Sequence, residues 1–335
     1  MQAFVTGGTG FVGANLIRLL LQQGYKVKAL VRASSCLDNL KSLEIEIIEG
    51  DLNQNDLAQP MKGCQVLFHV AAQYSLLKSD RHTLYRNNVL GTKNILNCAR
   101  SVGIERTVYT SSVAAIGVRK DGISADETYQ SPVGELIGDY KKSKYYAEQE
   151  AVKAAQAGQD IVIVNPSTPI GALDIKPTPT GDIIVRFLER KMPFYVDTGL
   201  NLIDVEDVAW GHILALEKGR TGDRYILGNQ NLTFAQLLKK LEKITGLPAP
   251  KSTIPYWIPY GVAWLEENVL AKLGKKPTIA VDGVRMSRQK MFYDASKAVT
   301  ELGLPQSNID DALKKAVKYF EKRQHKDGEQ KRKYI

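Results

Sequence analysis

Short apolar runs alternate with longer stretches of helical apolar spacing through the first half of this chain. Runs rich in valine, isoleucine, leucine and phenylalanine predict buried strands at residues 3–5, 26–31, 45–49, 66–70, 107–110 and 161–164. Apolar side chains with a helical period predict helices at residues 14–21, 81–102 and 140–157. Strands that alternate with helices of this length predict the α/β class, with a parallel, doubly wound sheet.

A glycine-rich turn, TGGTGFVG at residues 6–13, joins the first strand to the first helix. Gly7 permits the tight turn, Gly10 lets the backbone approach a pyrophosphate, and Gly13 lets the helix pack closely. The amides and dipole of the helix N-terminus then face the phosphates. This arrangement predicts a Rossmann-type dinucleotide site, to which this turn contributes Gly7, Thr9, Gly10, Phe11, Val12 and Gly13.

The pattern changes after Gly171, where Pro177, Pro179 and Pro193 punctuate a more irregular region. We expect a dinucleotide-binding domain at residues 1–171, with which elements from residues 200–230 can interleave. A smaller C-terminal α/β lobe at residues 172–320 is expected to bind substrate over the carboxyl ends of the strands. Residues 321–335 are expected to form a basic, mobile tail.

Arg32 follows the second strand, where NAD-binding sites usually carry an acid for the ribose hydroxyls. A guanidinium can bind a 2′-phosphate, and Ser34 or Ser35 can assist, so we predict that the cofactor is NADP, with NADPH preferred over NADH. The alternative is an ordinary exposed arginine. Asp51, followed by Leu52, stands at the end of the third strand and is expected to accept from adenine or to cap the next helix.

Small residues at the end of the fourth strand would let a nicotinamide ribose approach the backbone. The predicted cofactor contacts there are Val70, Ala71 and Ala72, and the ends of the next two strands add Thr110 and Pro166. His69 lies inside the apolar run and is expected to be a core histidine rather than a base.

Tyr140 and Lys144 lie four residues apart and so share one helix face. A free tyrosine has a pKa of about 10, and a nearby ammonium favours the phenolate. Lys144 is therefore expected to lower the pKa of Tyr140 and to hold the ribose, while Ser112 orients a substrate carbonyl. The predicted catalytic set is Ser112, Tyr140 and Lys144, with Tyr140 and Lys144 also contacting the cofactor and with no metal.

The chain resembles the extended short-chain dehydrogenase/reductases, in the NAD-dependent epimerase/dehydratase superfamily. The resemblance rests on the glycine turn, Asp51-Leu52, NVLGT at residues 88–92, Ser112 and Tyr140-x-x-x-Lys144, and on VEDVA and DASKA at residues 205–209 and 294–298. Within that family it is most similar to dihydroflavonol-4-reductase-like proteins. DIKPTPTG at residues 174–181 resembles the branch named hopanoid-associated sugar epimerases.

Departures from the family pattern narrow the expected chemistry. Asn165 stands where sugar-nucleotide members of the family usually have an arginine. Leu200 stands where those members often have a second arginine, which holds the diphosphate of the substrate. Val113 follows Ser112 at a position where dehydratase members have an acidic residue. The resemblance thus implies an NADPH-dependent carbonyl reductase with a mostly apolar substrate. We expect residues 119–138 and 172–201 to line the substrate pocket. A sugar or nucleotide-sugar epimerase stays open, because Arg285 or Arg288 can supply a clamp. A non-catalytic dinucleotide sensor is a second alternative.

Composition adds expectations about environment and partners. The 335-residue chain has a net charge of +9, unevenly placed toward its basic C-terminal stretch. This stretch can touch an acidic surface or a membrane, and the alternative is a solvated, frayed C-terminus. Three scattered cysteines suggest buried thiols in a reducing compartment, and no leader is apparent, so a cytoplasmic protein is expected. Residues 256–273 are expected to form a packed helix pair rather than a membrane anchor. No nucleic-acid partner is expected.

The family implies a homodimer through the helices bearing Asn88 and Tyr140. Four alanines on the second of these helices would allow close packing: Ala147, Ala151, Ala154 and Ala155. Burial of these alanines within the monomer is the alternative.

Overall fold

The computed structural model describes residues 1–54, 56–270, 277 and 279–332, with the side chains of residues 325–332 left out of the description. The described strands are β1 Gln2–Thr6, β2 Lys26–Val31, β3 Glu46–Glu49, β4 Val66–His69, β5 Arg106–Thr110, β6 Ile161–Pro166, β7 Thr168–Ile170, β8 Phe194–Tyr195, β9 Gly199–Asp204, β10 Arg224–Leu227, β11 Gln230–Thr233, β12 Ser252–Thr253 and β13 Lys290–Met291. The described helices are α1 Phe11–Gln22, α2 Ala58–Met61, α3 Arg81–Leu84, α4 Gly91–Ser101, α5 Val113–Ile116, α6 Gly138–Gln156, α7 Pro179–Leu188, α8 Val205–Lys218, α9 Phe234–Thr245, α10 Trp257–Leu265, α11 Val281–Met286 and α12 Ile309–Arg332.

A seven-stranded sheet forms the centre of the molecule, in the order β10-β6-β5-β4-β1-β2-β3. All six pairings are parallel, which confirms the predicted doubly wound α/β class. The strand order reverses between β1 and β4, and ligands of open sheets bind at such a switch point. β10 lies at one edge of this sheet beside β6, although α7, β8, β9 and α8 come between β7 and β10 in the chain.

The remaining strands build a smaller layer around β9, which pairs with β11, β13 and β7. Helices α7, α9 and α12 cover this layer with a second apolar cluster that includes Leu202, Leu238, Leu313 and Phe320. α12 extends to Arg332, so the predicted basic tail begins inside a helix, and residues 333–335 lie outside the described part of the chain.

One helix predicted as continuous is interrupted by a different geometry. The stretch from Arg81 to Ser101 contains π-helical Tyr85–Leu90 between α3 and α4. A π-helical segment accommodates an extra residue within an α-helix and is frequent at functional sites. We call the segment Tyr85–Leu90 the π-turn. Here it carries Asn88, whose contacts are described below.

Two of the four alanines of α6 face the interior of the monomer. Ala147 and Ala151 are fully buried in the cluster that includes Tyr109 and Ile163, and Ala154 and Ala155 pack beside it. The expectation that these alanines allow dimer packing is therefore wrong for Ala147 and Ala151, and burial within the monomer holds instead.

Two further expectations about buried side chains need correction. Cys36 is exposed, whereas Cys64 and Cys98 are buried, and all three are free thiols. The segment expected to be a packed helix pair forms α10 and a π-helical continuation, Glu266–Leu270, and most of its apolar side chains are exposed. Residues 271–273 of the predicted pair lie outside the described residues. No helix within the described part of the chain is long and apolar enough to cross a membrane.

Candidate active site

The glycine turn has the geometry that its sequence predicts. Gly7 has a φ of 73°, and a Cβ placed on it would lie 2.6 Å from the Ala71 amide nitrogen. A Cβ on Gly13 would collide with the Gly7 carbonyl oxygen, so only glycine lets α1 start this close to the turn. A Cβ on Gly10 would meet within 4 Å only the Gly7 oxygen, at 3.3 Å. The open space before the first amides of α1 fits a pyrophosphate.

A buried asparagine missed at the sequence level holds this turn in place. Asn39 donates to the carbonyl oxygens of Thr9, at 3.4 Å, and Leu173, at 2.9 Å. The side chain thereby links the loop after β2 to the glycine turn and to the start of the second lobe. A lone asparagine in a loop gives no pattern that would reveal these contacts.

Positive charge surrounds the predicted adenosine end. Arg32 is exposed immediately after β2. Burial acts to raise the pKa of Asp51, but hydrogen bonds from Asn53 and the charges of Arg32 and Arg86 bring it below its ordinary value. Arg86 lies on the π-turn, and sequence reasoning missed it because its proximity depends on tertiary structure.

Asp51 makes a local turn rather than capping the next helix. Its Oδ1 accepts from the Asn53 backbone nitrogen at 2.9 Å and from Asn53 Nδ2 at 2.8 Å. The next helix, α2, has Leu57 at its N-cap, so the capping alternative is wrong. The neighbouring Leu52 packs beside Gly91, where an added Cβ would lie 3.1 Å from Leu52 Cβ.

The carboxyl end of β4 lies directly beside that of β1. Thr6 pairs in register with His69, and its hydroxyl accepts from the Ala71 nitrogen at 3.2 Å. Burial lowers the pKa of His69 to about 3, while its ring nitrogens contact the Thr6 and Thr92 hydroxyls. The neutral ring belongs to the core, as predicted. Val70 and Ala71 are half-buried and Ala72 is exposed at this edge.

Ser112 and Tyr140 come together at the same edge of the sheet. Ser112 follows β5, and its Oγ accepts from the Ala114 nitrogen at 3.1 Å, which caps α5. Burial raises the pKa of Tyr140 to about 12, and its hydrogen bond with Ser112 acts in the opposite direction. The phenol is therefore protonated at neutral pH, as a proton donor must be.

Lys144 is buried one helical turn after Tyr140. Its Nζ donates to the Thr110 carbonyl oxygen at 2.9 Å, and burial lowers its pKa to about 8. The predicted lowering of the Tyr140 pKa by Lys144 is not what this structure shows, because burial dominates at the phenol. The lysine instead ties α6 to the end of β5.

Asn88 connects the π-turn to the catalytic helix. Its Nδ2 donates to Ser143 Oγ and to the Gln73 carbonyl oxygen, both at 2.9 Å, and its Oδ1 accepts from the Gln73 nitrogen at 2.7 Å. The following residue, Tyr74, packs edge-on against Tyr140 with ring centroids 4.6 Å apart. These contacts position the loop after β4 against Tyr140, the predicted proton donor.

A buried network behind the site also escaped sequence analysis. Asn165 donates to the Ser112 carbonyl oxygen at 3.0 Å and to Glu148 at 2.7 Å. Arg224 reaches the other Glu148 oxygen at 3.1 Å. Asn165 thus has a structural role at the end of β6, where Pro166 pairs with Leu227 of β10.

Both arginines considered as a diphosphate clamp already contact another side chain. Arg285 pairs with Asp282 at 3.1 Å, and the Arg288 guanidinium lies 4.9 Å from the centre of the Tyr256 ring. Leu200, at the position where a clamp is expected, pairs with Leu232 between β9 and β11. Asp174 accepts hydrogen bonds from the backbone nitrogen and the hydroxyl of Thr178, the N-cap residue of α7. Burial raises the pKa of Asp174 to about 6.

Comparison with known proteins decides the family. A model of the NAD dependent epimerase/dehydratase family matches residues 3–228. The chain belongs to this family. It is 67% identical over 322 residues to a Synechocystis protein named "Putative dihydroflavonol 4-reductase", covering 95% of this chain and 94% of that protein.

More distant relatives of this family member extend the likeness over the whole chain. Sterol demethylase protein B of Methylococcus capsulatus is 33% identical over 326 residues, which cover 96% of this chain and 99% of that protein. A solved structure described as "Crystal structure of gox2253" is 42% identical, has a TM-score of 0.85 and covers 96% of this chain and 98% of that chain. The protein is an NAD(P)-dependent enzyme acting on CH–OH or carbonyl groups.

Proposed function

We propose that this family member is an NADPH-dependent reductase of an apolar ketone. The observation that carries the proposal is the contact between Ser112 and a half-buried, protonated Tyr140 at the carboxyl edge of the sheet. Bound NADPH supplies the hydride. Tyr140 donates its phenolic proton to the carbonyl oxygen, and Ser112 hydrogen-bonds that oxygen. In the reverse direction Tyr140 takes the proton back.

The cofactor residues fit a phosphorylated dinucleotide. The amides at the start of α1 would hold the pyrophosphate, and the small side chains after β4 leave its nicotinamide half close to the backbone. Lys144, anchored on Thr110, would contact the ribose. Two arginines, Arg32 and Arg86, act on the Asp51 carboxylate and so favour a 2′-phosphate nearby.

Two observations support an apolar substrate, namely the partners of Arg285 and Arg288 and the names of the relatives. The two arginines that an epimerase would need for a diphosphate are engaged by Asp282 and Tyr256. The names of the two relatives refer to a dihydroflavonol reductase and to a sterol demethylase. Dihydroflavonols and sterols are both polycyclic compounds. We therefore propose a polycyclic or terpenoid ketone as the substrate class.

A panel of carbonyl compounds and nucleotide sugars tests this proposal. A reductase should consume one NADPH for each alcohol formed, and purified protein should bind added NADPH. An epimerase would carry tightly bound dinucleotide and change a sugar without net absorbance change at about 340 nm. A sensor would bind NADPH and turn over neither class of compound.

We also propose a homodimer, through a different set of side chains from the alanines. Tyr85, Leu90 and Tyr146 are large, 42–48% exposed, and belong to the π-turn and to α6. Exposed apolar side chains on both elements suit a packed helix interface. Light scattering should give the mass of two chains, and Tyr146→Glu with Leu90→Glu should reduce it to one.

A further inference from the structure

The outer face of α10 is an apolar surface facing solvent. The large apolar side chains of α10 and of its π-helical continuation have exposed fractions between 38% and 69%, and we call the set the α10 face: Trp257, Ile258, Val262, Trp264, Leu265 and Val269. On a helical wheel these positions occupy one broad arc. A contiguous exposed surface of this kind marks an interaction site rather than scattered surface residues.

The inner side of the same segment accounts for the packing of the helix. Ala263 is fully buried against Val281 and Val284 of α11. The segment's two acids also turn inward, because Glu266 accepts from the Ile279 nitrogen at 3.0 Å and Glu267 from the Val281 nitrogen at 2.8 Å. Both acidic side chains are thus on the protein side, and the amide of Asn268 donates to the Trp264 carbonyl oxygen of the same helix at 2.9 Å.

Cations border this face. Arg288 lies over the ring of Tyr256, the residue immediately before α10. Arg285 is exposed on α11, the helix against which α10 packs, and pairs there with Asp282. An apolar face with tryptophans and a basic border has the chemistry of a helix that lies in the boundary region of an anionic bilayer.

The α10 face is connected to the active site through α11. A Cβ on Gly138, two residues before Tyr140, would lie 3.0 Å from the Asp282 carboxylate. A Cβ on Gly283 would lie 3.2 Å from Leu76, which closely follows Tyr74 in the loop packed on Tyr140. A surface bound to α10 therefore lies next to α11, which contacts the start of α6 and the loop packed on Tyr140.

We propose that the α10 face docks on the surface of an anionic lipid bilayer. The tryptophans insert at the boundary between head groups and acyl chains, and the bordering cations contact lipid phosphates. Docking places the candidate active site near a phase where lipid-soluble compounds are concentrated. The docking itself does not depend on the proposed reductase activity.

Sedimentation with vesicles tests the docking. The full chain is mixed with phosphatidylcholine vesicles containing or lacking about a third phosphatidylglycerol, at two salt concentrations. We expect binding to the anionic vesicles, weakened by salt, and at least tenfold weaker binding for Trp257→Glu with Trp264→Glu. Val299→Glu, which changes an exposed apolar residue outside the α10 face, is the matched control and should bind as wild type.

Tryptophan fluorescence supplies a second measurement. The chain has three tryptophans, and Trp210 packs against the main core. In a Trp210→Phe background the emission should shift to shorter wavelength on anionic vesicles, because Trp257 and Trp264 leave water. Activity on a water-soluble carbonyl compound should be equal in wild type and the double variant, which separates docking from catalysis.

Three results would overturn the proposal. One is absence of binding to anionic vesicles, and another is binding that the double variant retains. The third is a dimer in solution that the double variant converts to a monomer, which would show that a second copy of the chain covers the α10 face.

Discussion

The ammonium of Lys144 donates to the carbonyl oxygen of Thr110, 2.9 Å away, and so joins the catalytic helix to the end of β5. Lys144→Met should remove this bond and the ribose contact proposed for the same group. We expect a loss of kcat of at least about tenfold and weaker cofactor binding, since a hydrogen bond from a charged group contributes about 1.5–3 kcal/mol. Steady-state kinetics and fluorescence titration measure the two effects. Unchanged NADPH affinity would refute the ribose role.

The pH profile should follow Lys144 rather than Tyr140. Burial lowers the pKa of Lys144 to about 8 and raises that of Tyr140 to about 12. Between pH 7 and pH 10 the phenol therefore keeps its proton, while Lys144 loses its charge above about pH 8. The kcat of reduction should fall as pH rises past about 8. A profile that is flat to about pH 10 would contradict this assignment.

Lys141 should destabilise the fold at neutral pH. It is 5% exposed, and within the described residues no acceptor or carboxylate pairs with its ammonium. Burial lowers its pKa from 10.5 to about 8, so the folded protein gives up this proton earlier than the unfolded chain as pH rises. Lys141→Met should raise the free energy of unfolding at pH 7 by about 1–3 kcal/mol.

The pH dependence gives this prediction its sign. Below about pH 8 the ammonium is charged in both states and its burial penalty is present in full. Between about pH 8 and pH 10.5 the wild-type protein regains that stability, so the advantage of Lys141→Met should shrink. Denaturant unfolding at pH 7 and pH 9.5 measures it. Lys142→Met, on the same helix, should change stability by less than about 0.5 kcal/mol; a constant advantage at both pH values would contradict the account.

Arg32 should decide the preference between cofactors. A charge-assisted contact with the 2′-phosphate is worth roughly 1.5–3 kcal/mol, or about a ten- to hundredfold preference for NADPH. Arg32→Asp should reverse the preference, because the carboxylate repels phosphate and accepts from ribose hydroxyls. Titration of both cofactors by fluorescence measures it. Arg100→Asp, on α4, is the control and should keep the preference for NADPH. Equal affinities in the wild type would show that Arg32 is only a surface charge.

The sequence predicts those parts of the site that depend on local chain geometry. The turn at Gly7 and Gly13 and the spacing of Tyr140 and Lys144 are set by residues close in sequence, so their pattern is visible without a structure. The parallel sheet follows similarly, because its central strands are buried on both faces and read as apolar runs, whereas the edge strand β3 is largely exposed.

Contacts between distant segments left no such pattern. The link from Asn165 through Glu148 to Arg224 depends on three elements meeting. The pKa of Tyr140 was mispredicted because the spacing to Lys144 says nothing about burial or about the Thr110 acceptor. The apolar side chains of α10 suggested packing, but hydrophobicity does not specify whether a partner exists within the chain.

Deuterium transfer tests the reductase proposal most directly. The wild type, Tyr140→Phe and the control Tyr146→Phe are given a polycyclic ketone and NADPH deuterated at the transferred position. The account predicts one deuterium on the carbinol carbon and one NADP⁺ per alcohol for wild type and control, and turnover lost in Tyr140→Phe with NADPH binding kept. Wild-type rates in Tyr140→Phe, or an epimerised sugar with no deuterium and no net NADPH oxidation, would contradict it.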